Sequence, residues 1–500
     1  WTYEHPQYVQ FQLNYIAEGF KMREVAAASA QSLKFLCQDC ARFLAEHWAD
    51  LLKFFNEVVS SNTLDEGDVI EFSEALAHVV SAVPEPSTSS AIESFCMPVG
   101  QELGALLQKP DVADGDKQRV SLLLDRLGVF LRFLYVENNE PAETLLARII
   151  NESWPLVNVT LQRLGSNTLV SESAAKFVRV LVEFYPNVLR PIVPQVVDAT
   201  VAAFQQTGLG IYLWLGRRIL NVHHNLAADE SASLQLVTQM VEKMSEAALA
   251  LFQGTQFSDV PETTEDYFRL VERAIETAPG YIISMPTFPY IFQAAIAALE
   301  VNQFHAQMSV IHAWSQILNP TKRHIRMMHS SRSTTQAVSL SGAQGTQSPS
   351  AALGGNLASS PSRTQHHRNI RLDTYPVEQI VDLCVKHGFD LSVKLLYGLM
   401  RHFDREAVPD AAGVLTSLTA IVSEGPLATK AQFDAPPLAT MCEWVQAIMS
   451  QVPDTNYSAA DKQALLKDLA EHIQARHWLR VKAIVSDFTA AFWRRNLGNK

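Results

Sequence analysis

The sequence has few cysteines and no long uninterrupted apolar stretch. Its longest apolar runs, such as SAAKFVRVLVEF at 173–184, contain charges well before they reach membrane-spanning length, so no transmembrane helix is expected. The five cysteines are too few and too scattered for a disulfide framework, which predicts a reducing compartment, either cytosol or nucleus. They are Cys37, Cys40, Cys96, Cys384 and Cys442.

Excess positive charge is also absent. The chain has 52 acidic and 40 basic residues and a formal net charge of −12. This balance argues against a general binder of nucleic acid or of anionic membranes and is compatible with basic partners. We therefore expect no direct nucleic-acid or membrane partner.

Catalytic and metal-binding motifs are missing as well. The sequence contains no P-loop, no Gly-x-Ser-x-Gly and no His-Glu-x-x-His. The histidine pairs at 223–224 and 366–367 have no Cys or carboxylate partners at metal-ligand spacing. We expect no catalytic residue, no metal and no cofactor, hence no enzyme. An enzyme whose catalytic domain lies outside this stretch remains an alternative.

The dominant positive signal is helical. Strand-like alternation is rare, whereas apolar residues recur at i, i+3, i+4 and i+7 along the chain. Paired helices are predicted to begin near residues 6, 41, 87, 141, 187, 231 and 282, close to the 40–47-residue period of HEAT or armadillo units. The prediction is an all-α protein, an α-solenoid of about ten HEAT-type helix pairs forming a superhelical arch.

One segment departs from this pattern. Residues 327–369 are rich in Ser, Thr, Gln and Gly and nearly lack large apolar residues, so they are predicted to be a disordered insertion. This gives a HEAT-repeat array at 1–326, the insertion, and C-terminal HEAT repeats with a cap at 370–500. The insertion contains Ser-Pro sites at 348–349 and 360–361, so a phosphorylation-regulated loop is an alternative to a merely tolerated one.

The N-terminal part contains a Cys-x-x-Cys, Cys37 and Cys40, which is open to redox, zinc-binding or packing interpretations. On a helix the two residues are neighbours on one face, but no second ligand pair for zinc lies nearby. The pair also follows a helix, whereas a reactive thiolate is favoured at a helix N-terminus. We predict that both side chains pack at the junction between two repeats.

Several stretches resemble one known family. Five stretches resemble, in the same order, stretches of the importin-β (karyopherin-β) nuclear transport receptors, within their transportin-SR, or transportin-3, branch. They are SLKFLCQDCARFLAEHW, LLLDRLGVFLRF, IINESWPLVNVTL, ETTEDYFRLVERAIETAP and VSDFTAAFWR. The chain opens with WTYEHPQYVQ, which has no initiator Met and no signal peptide. We therefore expect a fragment from the middle and C-terminal portion of such a receptor.

The resemblance implies a nuclear import receptor. Such receptors bind protein cargo on a concave face, release it to RanGTP and pass the pore by binding Phe-Gly repeats of nucleoporins. Cargo in this branch is Arg/Ser-rich or RNA-binding protein, and the receptors shuttle between cytoplasm and nucleus. The family's main Ran-binding repeats lie N-terminal to this stretch. An export or bidirectional receptor, or a static HEAT scaffold subunit, remains an alternative.

Basic residues recur on the second helix of four consecutive predicted pairs, where a HEAT array forms its binding surface. They are predicted to contact cargo, although i,i+4 pairing such as Glu172–Lys176 and Arg179–Glu183 also fits a merely solvated helix face. The resembling branch has an arginine-rich helix where this chain keeps two cations and two glutamates, so Glu172 and Glu183 are predicted to receive a basic cargo. The full set is Arg119, Arg126, Arg132, Glu172, Lys176, Arg179, Glu183, Arg217, Arg218, Arg269 and Arg273.

Overall fold

The computed structural model describes residues 4–61, 64–136, 139–222, 230–340, 375–429 and 437–496. Within these ranges the regular structure is entirely helical. The chain divides into two compact units, Trp1–Leu251 and Phe252–Lys500. Within the described residues, no helix is both long and apolar enough to cross a membrane.

The first unit contains helices α1 to α11 and most of α12, which crosses the division. Their bounds are α1 Val9–Gly19, α2 Arg23–Leu44, α3 Trp48–Ser60, α4 Glu66–Ser81, α5 Ser87–Gln108, α6 Asp114–Phe133, α7 Glu140–Leu164, α8 Thr168–Phe184, α9 Pro186–Leu189, α10 Val193–Thr207, α11 Gly210–Asn221 and α12 Glu230–Gly254.

These helices form two rows. Helices α2, α4, α6, α8 and α11 each contact the next and make a row that we call the second-helix row. Helices α3, α5, α7 and α10 contact one another in the same order and make the first-helix row. Each pair buries its apolar stripe against its own partner and against the neighbouring pairs, as expected of a solenoid.

Local sequence sets where the helices begin and end. Asn139 and Asn167 cap α7 and α8 by accepting from the backbone N–H of Ala142 at 3.2 Å and of Val170 at 3.1 Å. At the other end, α10 stops at Gly208, whose φ of 68° is the left-handed conformation that glycine adopts without a Cβ penalty. The pairs are therefore separated by short turns.

Buried tyrosines connect successive pairs. The Tyr185 hydroxyl donates to the Leu131 carbonyl at 2.6 Å, and the Tyr212 hydroxyl donates to the Gly165 carbonyl at 2.8 Å. Each bond satisfies a carbonyl near the end of a helix from the preceding pair. Burial raises the pKa of Tyr212 to about 12, so its hydroxyl remains a donor at neutral pH.

The second unit repeats the two-row arrangement. Its helices α13 (Pro261–Thr277), α16 (Phe304–Leu340), α18 (Val408–Thr429) and α21 (Trp478–Asn496) contact one another in order and form its own second-helix row. On the other side, α15 (Phe288–Ala298) contacts α17 (Val377–Arg401). The Tyr375 hydroxyl donates to the Ile317 carbonyl at 2.8 Å, again joining two pairs. The remaining bounds are α14 Pro279–Ser284, α19 Pro437–Ser450 and α20 Ala459–Gln474.

The all-α solenoid is confirmed, but the predicted boundary at residue 326 does not coincide with the division between the units. Helix α16 runs past it to Leu340, because an established helix extends into Ser, Thr and Gln without a new nucleation step. Helices on both sides of the predicted insertion, α16 and α18, contact each other in one unit. The rest of the insertion, from 341 to 369, lies outside the described residues.

The Cys-x-x-Cys pair lies in the core at the end of α2. Cys37 and Cys40 are each 1% exposed, and all five cysteines of the chain are free thiols. Cys40 has non-helical torsion angles, φ −115° and ψ 20°, so α2 kinks there shortly before α3 begins at Trp48. The pair therefore packs at a junction between two helix pairs, as the sequence predicts.

Candidate functional site

All eleven predicted cargo-binding residues lie on second-helix rows, on α6, α8 and α11 in the first unit and on α13 in the second.

Buried polar side chains form hydrogen bonds between α6 and α8. The Ser121 and Ser173 hydroxyls are 2.7 Å apart, and Ser173 donates to Asp125 Oδ2 at 2.9 Å. Burial raises the pKa of the Asp125 carboxyl, while the Ser173 bond and nearby Lys176 lower it.

The three arginines of α6 have different environments. Arg119 makes a bidentate ion pair with Glu102 of α5, with Nε at 2.5 Å and a terminal nitrogen at 2.9 Å. Arg132 is exposed in the last turn, 5.1 Å from the Phe133 ring. Arg119 thus joins the two helices of one pair, while Arg132 faces solvent.

Arg126 is not on the surface, and its predicted contact with cargo is wrong. The residue is 5% exposed, and its guanidinium carbon lies 5.0 Å from the Phe55 ring and 5.8 Å from the Phe95 ring. Burial lowers the pKa of Arg126 to about 10, with Arg119 adding to the effect and Glu102 opposing it. The helix period places this side chain on the apolar stripe, where the flat guanidinium stacks on aromatic rings.

The second-helix row of the first unit has one cluster that spans two pairs. The Trp214 ring of α11 is close to two arginine side chains, with Arg179 of α8 at 5.9 Å and Arg218 of α11 at 5.1 Å from its centroid. Glu183 of α8 approaches both, at 3.8 Å from Arg179 Nε and 3.9 Å from a terminal nitrogen of Arg218. We call these four residues the Trp214 cluster.

The ion pairs in the Trp214 cluster are loose. Both distances exceed hydrogen-bond length, and the buried Nε atoms of Arg179 and Arg218 have no acceptor among the described residues. The side chains of Arg179 and Glu183 are only 22% and 25% exposed, so water screens them incompletely. Such a group can exchange a partner carboxylate or guanidinium without first breaking a short hydrogen bond.

The other predicted residues pair within their own helices. Lys176 meets Glu172 at 3.3 Å with both side chains exposed, and Arg269 meets Glu265 at 2.8 Å. Arg273 meets Glu276 at 3.0 Å, and Glu276 also accepts from Gln316 of α16 at 3.1 Å. The exposed Lys176–Glu172 pair contributes about 0.2–0.5 kcal/mol and fits the solvated-face alternative, whereas the pairs of Arg269 and Arg273 are partly buried. Arg217 is half-buried on α11.

Comparison with known proteins points to one family. A family model described as the fourth TPR domain of transportin-3/importin-13 matches residues 145–252. An uncharacterised protein of Schizosaccharomyces pombe is 22% identical over 503 residues, covering 99% of this chain and 47% of that protein. The mRNA transport regulator MTR10 of Saccharomyces cerevisiae is also 22% identical, covering 100% of this chain and 48% of its own length.

A solved structure of importin-13 in its cytosolic state has the same fold, with a TM-score of 0.67 at 13% identity. The match covers 100% of this chain and 48% of that one. The chain is therefore similar to transportin-3 and importin-13 in sequence over residues 145–252, and to importin-13 in fold over its whole length. It spans about half the length of the relatives it matches. The helix pairs of this chain begin at Glu140, Pro186 and Glu230, about 45 residues apart, which is wider than the 34-residue period of tetratricopeptide repeats.

The first-helix row has a groove of its own. A cavity of about 860 Å³ lies along α3, and Ser94 of α5 also lines it. Trp48 and Leu52 supply its apolar lining, and Lys53, Asn56 and Glu57 its polar lining. Its residues face away from the core, so the groove is a second place where a peptide could lie.

Sequence reasoning missed Trp214, Glu102 and Asp125. Trp214 and Arg218 are four residues apart in GIYLWLGRRIL, and this spacing alone predicts that they contact each other on one helix. The approach of Arg179 depends on the register between α8 and α11, which no local pattern reports. The same holds for Arg119 and Glu102, which lie on different helices.

Proposed function

We propose that this chain is the middle and C-terminal part of a nuclear import receptor that binds protein cargo through its second-helix rows. The observation that supports this most is the Trp214 cluster. It combines an aromatic face, two arginines and a glutamate on neighbouring pairs, held by ion pairs longer than hydrogen bonds. Aromatic and arginine side chains are the residues that most often dominate protein–protein binding energy.

The proposed cargo is an Arg/Ser-rich or RNA-binding protein with unphosphorylated arginine-rich segments. Helix α8 carries Glu172 and Glu183 beside Lys176 and Arg179, so its charge is balanced, and it does not favour phosphoserine. An incoming arginine can take the Glu183 carboxylate from Arg179 and Arg218, and a second can take Glu172 from Lys176. The acids then receive the cargo, and the displaced cations remain in contact with Trp214 or with solvent.

A charge-reversal pull-down tests this cargo surface. Glu172→Lys combined with Glu183→Lys should weaken capture of an arginine-rich cargo by about tenfold or more, because two attractive contacts become repulsive. The matched control is Glu46→Lys with Glu246→Lys, two exposed acids at other places in the first unit. Equal capture by the reversal variant and the control would exclude α8 as the cargo surface.

The transport role is tested with the full-length protein on immobilised cargo, with and without RanGTP. Release by RanGTP is expected of an import receptor that moves between cytoplasm and nucleus, with Ran bound mainly by repeats outside this chain. Stronger retention with RanGTP would indicate an export receptor instead. Retention indifferent to RanGTP would indicate a static scaffold and contradict the proposal.

Passage through the pore is assigned to the first-helix row. We propose that the groove along α3 accepts Phe-Gly repeats of nucleoporins, with Trp48 and Leu52 contacting the phenyl ring. Trp48→Ala should reduce binding of a Phe-Gly peptide several-fold. Tyr281→Ala, which removes a 60% exposed aromatic ring elsewhere, is the control and should leave binding unchanged.

A further inference from the structure

A cavity of about 670 Å³ opens in the second unit where α16, α18 and the turn between α20 and α21 meet. Three arginines line it, Arg326 from α16 and Arg476 and Arg480 from the turn and first residues of α21, together with His472 and His477. The single carboxylate of its lining is Glu424 of α18. In a chain with a net charge of −12, this concentration of cations is local to one place.

Arg476 has a backbone conformation that glycine normally adopts. Its φ is 56°, and the chain turns there with Arg476 N–H donating to Ile473 and His477 N–H donating to His472, at 3.0 and 2.9 Å. Within the described residues it is the one non-glycine residue with positive φ. Left-handed residues are common just after a helix, and non-glycine residues in this conformation also recur at functional sites.

The position of Arg476 is fixed by a buried acid. Its Nε lies 3.3 Å from Oε1 of Glu424, whose side chain is 6% exposed. That oxygen has no hydrogen-bond partner among the described residues, so the contact is an ion pair without hydrogen-bond geometry. Glu424 therefore holds one guanidinium in place, and the lining has three arginines for this one carboxylate.

The positive charge continues from the cavity along the second-helix row. Lys322 of α16 donates to the Ser417 hydroxyl of α18 at 2.7 Å. Burial, and then repulsion from Arg326, Lys482 and Arg323, lowers the pKa of Lys322 to about 8. The cations on α16 and α21 thus repel one another, and a bound anion would relieve that repulsion.

The start of α21 adds two further features. Trp478, Leu479 and Arg480 in the first turn of this helix line the cavity, where the Arg480 guanidinium is a donor while its backbone N–H already donates to the His477 carbonyl at 2.9 Å. Leu479 is 89% exposed, an unusual exposure for a leucine beside so many charges. The cavity wall therefore offers donors for oxygen atoms and one apolar contact.

We propose that this cavity and the adjoining cations, Lys322, Arg323 and Lys482, bind an acidic polypeptide segment of a partner protein, with carboxylates on the arginines and an apolar side chain on Leu479. A compact phosphate dianion fits less well, because Glu424 faces the cavity and would repel concentrated negative charge. Singly charged carboxylates spread along an extended chain match cations spread over α16 and α21. This site is independent of the cargo surface on α8 and of any transport role.

The test is fluorescence anisotropy of a labelled peptide of Glu, Asp and interspersed Leu with the 500-residue chain. The variant Arg476→Gly/Arg480→Ala removes two cavity cations and gives the left-handed position the residue that suits it. It should weaken binding of the peptide by about tenfold. Binding to the wild-type chain should be stronger at low than at physiological ionic strength. The control Arg405→Ala/Lys467→Ala removes two exposed cations outside the cavity and should change affinity less than about twofold.

A second variant changes affinity in the opposite direction. Glu424→Gln removes the acid that faces the cavity and should tighten binding of the peptide. A variant that misfolded would not bind the peptide more tightly. Binding equal in Arg476→Gly/Arg480→Ala and wild type would overturn the proposal. So would competition by inorganic phosphate as effective as by unlabelled peptide, or tighter binding of a polyuridine of equal charge.

Discussion

Lys322 shows how one residue can make the stability of the fold depend on pH. Its pKa falls from 10.5 to about 8 in the folded chain, so between these values the unfolded chain binds a proton that the folded chain does not. Stability therefore rises as pH increases from about 8 to 10.5, and the cost of the buried charge is fully present below pH 8.

Lys322→Met should accordingly raise the free energy of unfolding at pH 7 and reduce the gain in stability between pH 8 and 10. Urea unfolding of both proteins at several pH values measures the difference, in which the titration of other groups largely cancels. Parallel pH profiles for the two proteins would contradict a lowered pKa for this amine.

The cysteines make a second prediction at this scale. Cys37, Cys40, Cys96 and Cys384 are buried, and burial raises the pKa of Cys37 and of Cys96 to about 12, so little thiolate forms at neutral pH. A thiol reagent such as DTNB should label Cys442, which is partly exposed, and the other four only after denaturation. Rapid native labelling at Cys37 or Cys40 would revive the redox interpretation of the motif.

At the scale of elements, two glycines differ in why a side chain would be unfavourable or favourable at their positions. Gly208 ends α10 with φ at 68°, whereas Gly100 lies inside α5 with open space within 4 Å of the point where a Cβ would lie. Gly208→Ala should lower stability by about 1 kcal/mol, because an L side chain is strained there. Gly100→Ala should raise stability by about 0.5–1 kcal/mol, because alanine favours helix. Thermal unfolding of both variants measures this contrast, and an equal sign for the two would contradict it.

Helix existence and pairing follow from the sequence because amphipathic period and caps are local properties. The first-row helices α5 and α7 begin at Ser87 and Glu140, next to the predicted pair starts of 87 and 141, whereas the predicted start at 41 falls inside α2. The end of α16 does not follow, because extension of an existing helix depends on the turns before it. The Trp214 cluster was missed for a different reason, since it needs the register between two helices far apart in sequence.

At the scale of the whole molecule, a solenoid confines each perturbation to its neighbours. Arg126→Ala removes a large buried side chain between Phe55 and Phe95 and should lower stability by about 2–4 kcal/mol. Arg126→Met keeps most of the volume and loses the buried charge, so it should recover most of that loss.

Hydrogen exchange shows where this loss is felt. In Arg126→Ala, amides of α3 to α6 should exchange faster, while those of α18 to α21 should keep their wild-type rates. Uniform acceleration across both units would mean that the chain unfolds as one cooperative body. Arg119→Ala, which breaks only the pair with Glu102, serves as the milder comparison.

The tyrosine bonds between pairs also bear on how the chain folds during its synthesis. In the first unit they join residues 54 and 47 positions apart, so each pair can close on the preceding one soon after it leaves the ribosome. In the second unit, Lys322 reaches Ser417 across 95 positions and His402 reaches the Leu299 carbonyl across 103. The Tyr375 bond to Ile317 spans only 58 positions, but the side of α16 that contacts α18 must wait until about twice as much chain has emerged. Chaperones that hold nascent chains are expected to be needed most during this interval.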